Sequence, residues 1–217
     1  MTGDLLKCTA LATRTIANVS EALAERLGLR PEFRSIGILT ADSDDVTYCA
    51  LDEATKAAAV EVVYGRSLYA GAANASTRLA GEVIGILAGP NPSEVQSGLR
   101  AAVAFFESGV GFRSANDDDS IPYFAHTVAR TGSYLAKTAG VREGAALAYL
   151  VAPPLEAVVG LDEAMKAADV TMAALFEPPS ETNFGGGLLT GTQSACKAAC
   201  DAFEAAVLDI ARRPREQ

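Results

Sequence analysis

The sequence predicts two tandem copies of one small α/β domain. Three observations carry that expectation. The segment Leu51-Asp-Glu-Ala-Thr-Lys-Ala-Ala-Ala-Val60 returns 110 residues on as Leu161-Asp-Glu-Ala-Met-Lys-Ala-Ala-Asp-Val170, with eight of ten positions identical. Glycine-bounded apolar runs alternate with helical patterns in the same order around both copies. The chain has 217 residues, 49% of them hydrophobic, which is enough for two cores of about 100 residues each.

Weaker echoes flank the repeated segment. Ile36-Gly-Ile-Leu-Thr-Ala41 matches Ala148-Tyr-Leu-Val-Ala-Pro153, and Gly85-Ile-Leu-Ala-Gly89 matches Gly187-Leu-Leu-Thr-Gly191. Ala101-Ala-Val and Ala205-Ala-Val lie in the helices that follow, and Arg14-Thr15 and Arg130-Thr131 in the segments that precede. Each half then reads strand, helix, strand, loop, strand, helix.

In the first helix Leu51, Ala54, Thr55 and Ala58 fall at i, i+3, i+4 and i+7; Leu161, Ala164, Met165 and Ala168 repeat the stripe. Val60–Tyr64 and Glu82–Ala88 read as strands. A later helix takes Asn91 as N-cap, Pro92 as its first residue and Glu94 for a capping box. Its apolar face is Val95, Leu99, Ala102, Val103 and Phe106, and Ser108-Gly109 stops it. The last helix carries Cys196, Ala199, Cys200, Phe203, Val207 and Ile210 on one face. Strands alternating with helices at these lengths indicate a sheet covered by helices.

Between the second and third strands of each half lies a connection longer than a hairpin requires, Gly65–Ala80 and Glu177–Gly187. The run Gly185-Gly186-Gly187 permits close backbone approach or large dihedral changes.

Several chemistries are excluded. A net charge of −9 does not suit nucleic-acid binding. No apolar run is long enough to span a bilayer, and Met1–Lys7 lacks a secretory h-region. Four scattered cysteines fit a reducing, cytoplasmic setting. Cys196 and Cys200 have no further Cys or His nearby to complete a metal site, so they read as buried apolar residues. His126, the only histidine, stands alone, and the glycine run lacks the lysine of a phosphate loop. The chain is expected to be no enzyme, and to need no cofactor or metal. The acidic cluster Asp42, Asp44, Asp45 fails the calcium-loop pattern. Asp44 is expected to cap the following helix, and Asp45 to help bind a small cation such as an ammonium.

Five segments carry a resemblance across residues 12–212: Ala41-Asp-Ser-Asp-Asp-Val-Thr-Tyr48, Val63-Tyr-Gly-Arg-Ser-Leu-Tyr-Ala-Gly-Ala72, Arg130-Thr-Gly-Ser-Tyr-Leu135, Tyr149-Leu-Val-Ala-Pro-Pro-Leu-Glu156 and Thr190-Gly-Thr-Gln-Ser-Ala-Cys-Lys-Ala-Ala-Cys-Asp201. Together they resemble the ethanolamine-utilization branch of the bacterial microcompartment (BMC) shell family. The chain departs from it at residues 1–11, at 112–122 and in the basic tail from Arg212.

The resemblance implies an α/β fold of the α+β, ferredoxin-like kind: two circularly permuted BMC domains, residues 1–111 and 112–217. Elements at 5–30 and 113–145 then replace those usually found at a domain's C-terminus. It further implies a homotrimer forming a pseudo-hexameric tile in the shell of a cytoplasmic microcompartment, beside other shell proteins. A central pore would be gated by loops carrying Ser67, Leu68, Tyr69, Asn183, Gly185, Gly186 and Gly187. Ethanolamine would bind in small pores at the domain interface through Asp45 and Glu82, the backbone of Phe112, and Thr182 and Phe184. Two alternatives stay open: the shell of a different compartment, or a small-molecule sensor built of two ferredoxin-like halves.

Overall fold

The computed structural model describes residues 1–67, 77–178 and 183–215. The elements are β1 (Ala10–Ile16), α1 (Glu21–Leu27), β2 (Ser35–Ala41), α2 (Asp44–Ala57), β3 (Glu61–Ser67), β4 (Val83–Gly89), α3 (Pro92–Phe106), β5 (Arg113–Ser114), β6 (Pro122–Val128), α4 (Ser133–Ala139), β7 (Ala146–Ala152), α5 (Pro154–Ala167), β8 (Val170–Phe176), β9 (Gly185–Gly191) and α6 (Gln193–Arg212). They divide into two units. The first comprises Cys8–Val110 with Gly132–Leu135; the second comprises Met1–Lys7, Gly111–Thr131 and Ala136–Gln217.

The first unit has a sheet in the order β1-β2-β4-β3, and the second β5-β6-β7-β9-β8, with every neighbouring pair antiparallel. Since β2 and β3 both oppose β4, they run parallel to each other and need the α2 crossover between them. Counted from β2, the first unit is a β-α-β-β-α-β fold whose last strand, beside the first, is supplied by β1 from the other end of the sequence. In the second unit β6 does the same for β7. This is a circular permutation, present twice.

Local sequence explains the elements. β7 (ALAYLVA) is buried along its whole length, as a central strand covered on both faces must be. Asn91 caps α3 by accepting the Glu94 N–H at 3.0 Å, with Pro92 first in the helix. Glu94 does not close the expected capping box. Its carboxylate accepts the Ala59 N–H at 2.8 Å and so fixes the turn from α2 into β3. Thr192 caps α6 through the Ala195 N–H.

In the first unit Leu39, Leu51, Ala54, Leu87, Val95 and Leu99 fill the space between sheet and helices. The other sheet face is covered by Val19 and Phe33 over Ile36 and Ile86. In the second unit Leu150, Leu161, Leu189, Cys196, Cys200 and Phe203 form the equivalent core. Gly160 lets α5 and α6 close up, since a Cβ there would lie 2.6 Å from the Phe203 ring. Cys196 and Cys200 are buried among apolar groups, as their helical spacing suggested. Burial pushes the Cys8 and Cys200 thiols up to about 11 and the fully buried Cys49 thiol well above its ordinary value.

Three local expectations need correction. Met165 lies on an exposed face of α5, because none of the described residues covers it. Arg130-Thr131 follows β6 whereas Arg14-Thr15 lies within β1, so that echo pairs non-equivalent positions. The Ile36–Ala41 run is offset by one residue from its β7 counterpart, because β2 begins at Ser35 and β7 at Ala146.

One buried charge organises the first unit. Asp52 in α2 is 1% exposed. Its Oδ2 accepts the Gly132 N–H at 2.7 Å, its Oδ1 the Leu135 N–H at 2.8 Å, and Lys56 Nζ stands 3.4 Å away. Beside it Thr55 Oγ1 accepts the Ser133 N–H at 3.1 Å. The carboxylate satisfies backbone donors that would otherwise be orphaned in a dry site. Replacing Asp52 by Ala should therefore cost about 3 kcal/mol in chemical denaturation. Asp201→Ala, which breaks an exposed pair with Lys197, should cost no more than about 0.5 kcal/mol. Equal losses in the two variants would contradict this role for Asp52.

Candidate ligand site

The first unit concentrates negative charge where β2 runs into α2. Ser43 is the N-cap of α2, and Asp44 and Asp45 form its first turn, both nearly buried. Asp44 is thus one position past the cap expected for it. Its Oδ1 accepts the Asp45 N–H at 2.9 Å and its Oδ2 accepts from Ser67 Oγ at 2.6 Å. Ser67 Oγ in turn lies 2.9 Å from the Tyr48 hydroxyl. Asp42 Oδ1 accepts the Thr9 N–H at 2.6 Å. Glu82 is held just before β4 by its own N–H, which donates to Ala41 O at 2.7 Å.

Electrostatics records the crowding. Glu82 is pushed up to about 7, first by burial and then by the charges of Asp44 and Asp42. The Tyr48 phenol is pushed up to about 12, mainly by burial. Ser43 Oγ is buried with no hydrogen-bond partner. Among the described residues no cluster of His, Cys, Asp and Glu has metal-holding geometry. The arrangement offers carboxylate and hydroxyl oxygens to a small hydrogen-bonding cation.

In the second unit the Phe112 ring stacks on Phe124 at 5.3 Å and meets Phe184 edge-on at 5.8 Å. The Phe112 carbonyl accepts the Leu6 N–H at 2.8 Å, leaving one lone pair for a ligand. Asn183, next to Phe184, has φ +66°. Thr182, Leu68 and Tyr69 lie outside the described residues.

The site residues expected from sequence therefore appear as Asp45, Glu82 and Ser67 in one unit and Phe112, Asn183 and Phe184 in the other. Sequence reasoning missed the Asp44–Ser67–Tyr48 chain. The only available signal was the i, i+4 spacing of Asp44 and Tyr48 on α2.

Gly185, Gly186 and Gly187 are not in the loop. They open β9, paired on one side with Ala152, Val151 and Leu150 of β7, and Gly186 and Gly187 pair on the other with Phe176 and Leu175 of β8. A Cβ on Gly186 would fall 1.9 Å from Leu150 O, and one on Gly187 2.6 Å from Ala174 O. These glycines let three strands approach, and the hinge expected of them gives way to packing.

The chain is 66% identical over 214 residues to the bacterial microcompartment shell protein EutL of Clostridium perfringens, covering 99% of both. The chain belongs to the EutL family of bacterial microcompartment shell proteins. EutL of Escherichia coli K12 is 57% identical, covering 97% of this chain and 96% of its own length. The crystal structure of the ethanolamine utilization protein EutL from Leptotrichia buccalis superimposes with a TM-score of 0.98 at 66% identity, covering all of both chains. The BMC domain family matches residues 35–115, a stretch that begins at β2, where the permuted unit starts its count. Membership of EutL makes the chain a shell protein, as the non-enzymatic reading requires, and sets aside the sensor alternative.

Two outcomes follow from this EutL geometry. Glu82 is raised in the folded state from its ordinary 4.5 to about 7. The folded protein therefore holds this proton more tightly than the unfolded chain, and stability drains away as pH rises across that window. Glu82→Gln should raise stability at pH 8 by about 1 kcal/mol, after allowance for solvent screening of a partly exposed group. At pH 4 it should change nothing; a gain independent of pH in denaturant titrations would refute the assignment. Gly186→Ala should forfeit about 3 kcal/mol or more, because backbone cannot move aside for a methyl, and a thermal melt matching the parent protein would show otherwise.

Proposed function

We propose that this shell protein serves an ethanolamine-utilization microcompartment. Three copies form a pseudo-hexameric tile, joined edge to edge with other shell proteins, and small molecules cross through its pores. The two BMC domains are divided near residue 111. The identity to EutL relatives over nearly the whole chain favours ethanolamine over another compartment's metabolite.

One observation carries the ligand reading: burial first, and then repulsion from Asp44 and Asp42, pushes Glu82 up to about 7. An ammonium group relieves that repulsion. Asp45 and Glu82 are its carboxylate partners, and Phe112, Thr182 and Phe184 complete the contacts to the rest of ethanolamine. The pore-side segments following Ser67 and preceding Phe184 act as the gate, with Leu68, Tyr69 and Asn183 in them. Gly185–Gly187 anchor the second segment rather than swing it.

Ser67 supports coupling between ligand and gate. It is the last residue of β3, and its hydroxyl donates to Asp44 inside the acidic cluster. A cation that redraws the hydrogen bonds of Asp44 acts directly on the start of the loop. It shifts the gate by as much as its affinity differs between the two loop states.

Calorimetry tests the pocket. Ethanolamine should bind the wild type and fail to bind the Asp45→Asn, Glu82→Gln double variant. Wild-type affinity should also decline below pH 7 as Glu82 takes up its proton. Unchanged affinity in the double variant removes Asp45 and Glu82 from the pocket.

A further inference from the structure

The two halves of the chain begin their repeated helices differently. Counting 110 residues on from Asp42-Ser43-Asp44-Asp45 gives Ala152-Pro153-Pro154-Leu155, and Ser43 and Pro153 are the N-caps of α2 and α5. Glu82, the residue before β4, answers to Phe184, the residue before β9. The second unit therefore builds the same fold with no carboxylate and no hydroxyl at these positions. What the first unit adds here is not needed to start the helix.

Most of the added hydroxyls are engaged. Ser67 donates to Asp44 and stands 2.9 Å from the Tyr48 hydroxyl, and Thr47 Oγ1 donates to Ser43 O at 2.6 Å. Ser43 is the exception. It keeps only 9% of its surface exposed, and its Oγ has no hydrogen-bond partner among the described residues. An N-cap serine ordinarily accepts an N–H from the first turn. Here the Asp45 N–H goes to Asp44 Oδ1 at 2.9 Å instead, and the Ser43 side chain makes no cap bond. A buried hydroxyl held in this state costs free energy. The pairing of Ala41 with Val83, and the bond from Glu82 N–H to Ala41 O, bring Ser43 to the same corner of the sheet as Glu82.

The kind of partner follows from what each group can donate and accept. Asp45 and Glu82, when ionised, are acceptors only, so they take the N–H donors of an ammonium. An ammonium has no lone pair and cannot accept the Ser43 proton. That O–H needs an acceptor oxygen lying a short distance from the nitrogen, and a vicinal amino alcohol carries one two carbons away. We infer that Ser43 Oγ–H donates to the hydroxyl oxygen of the ligand, making Ser43 the residue that selects an amino alcohol over a simple alkylammonium. A site with a buried polar group rejects the analogue that leaves that group unpaired. This inference rests on the pocket proposed above and assigns the contact that recognises the ligand's second polar end.

Calorimetry at pH 8 compares ethanolamine with ethylamine, which keeps the ammonium and lacks the hydroxyl. The wild type should bind ethanolamine about tenfold more tightly or better. Ser43→Ala should lose about tenfold or more in ethanolamine affinity and nothing in ethylamine affinity, so that the preference disappears. Ser43→Gly should do the same. Glycine is a good N-cap and alanine a poor one, so equal losses in the two variants distinguish a missing hydroxyl from a weakened helix. A preference that survives in both variants overturns the role of Ser43, as does a loss in Ser43→Ala that Ser43→Gly restores. Equal wild-type affinity for the two amines overturns it while leaving the pocket standing. A wild type that binds neither amine overturns the pocket itself, and the role of Ser43 with it.

Discussion

A carboxylate removed from water and given its full set of partners is the interaction around which the first unit is arranged. Asp52 cannot be left alone in a dry site, so Gly132, Leu135 and Lys56 must be where they are. The consequence reaches beyond stability. The motif that supplies Asp52 is the one the chain repeats, yet its counterpart Asp162 keeps its side chain 58% exposed and pairs with Lys166, so the same residue meets a different need in each copy.

The acidic start of α2 shows the opposite situation, where a demand is held open. A helix N-terminus tolerates one or two carboxylates through its exposed N–H groups and its dipole. Asp44 and Asp45 occupy the first turn of α2 with Asp42 just before it, and Glu82, pushed up to about 7 first by burial and then by Asp44 and Asp42, keeps its proton toward neutral pH. Ser67, the last residue of β3, donates to Asp44 inside this cluster. Charge, hydrogen bond and loop are adjacent because α2 and β3 flank the same end of the sheet.

What the sequence revealed followed its local periodicities. The eight-of-ten repeat located α2 and α5, and Gly85–Gly89 and Gly187–Gly191 occupy matching positions of β4 and β9. Asn91 and Pro92 marked the start of α3 because capping is a short-range interaction. The equivalence of α1 and α4 was hidden, since Glu21–Leu27 and Ser133–Ala139 share only scattered identities and are matched by topology. The roles of Gly185–Gly187 and Met165 were misread for one reason. A glycine run reads as freedom and an apolar stripe as core until the neighbours on the far side are known, and neighbours distant in sequence leave no local trace. The Ser67 contact with Asp44 spans 23 residues and belongs to the same class.

The cysteines give the fold a chemical character of their own. Nucleophilic attack by sulfur requires the thiolate, and burial holds Cys8 and Cys200 near 11 and Cys49 well above its ordinary value. At neutral pH these side chains are almost wholly protonated and inert. A wall made of such subunits is poorly reactive toward electrophiles that come up against it, and is not consumed by what it confines.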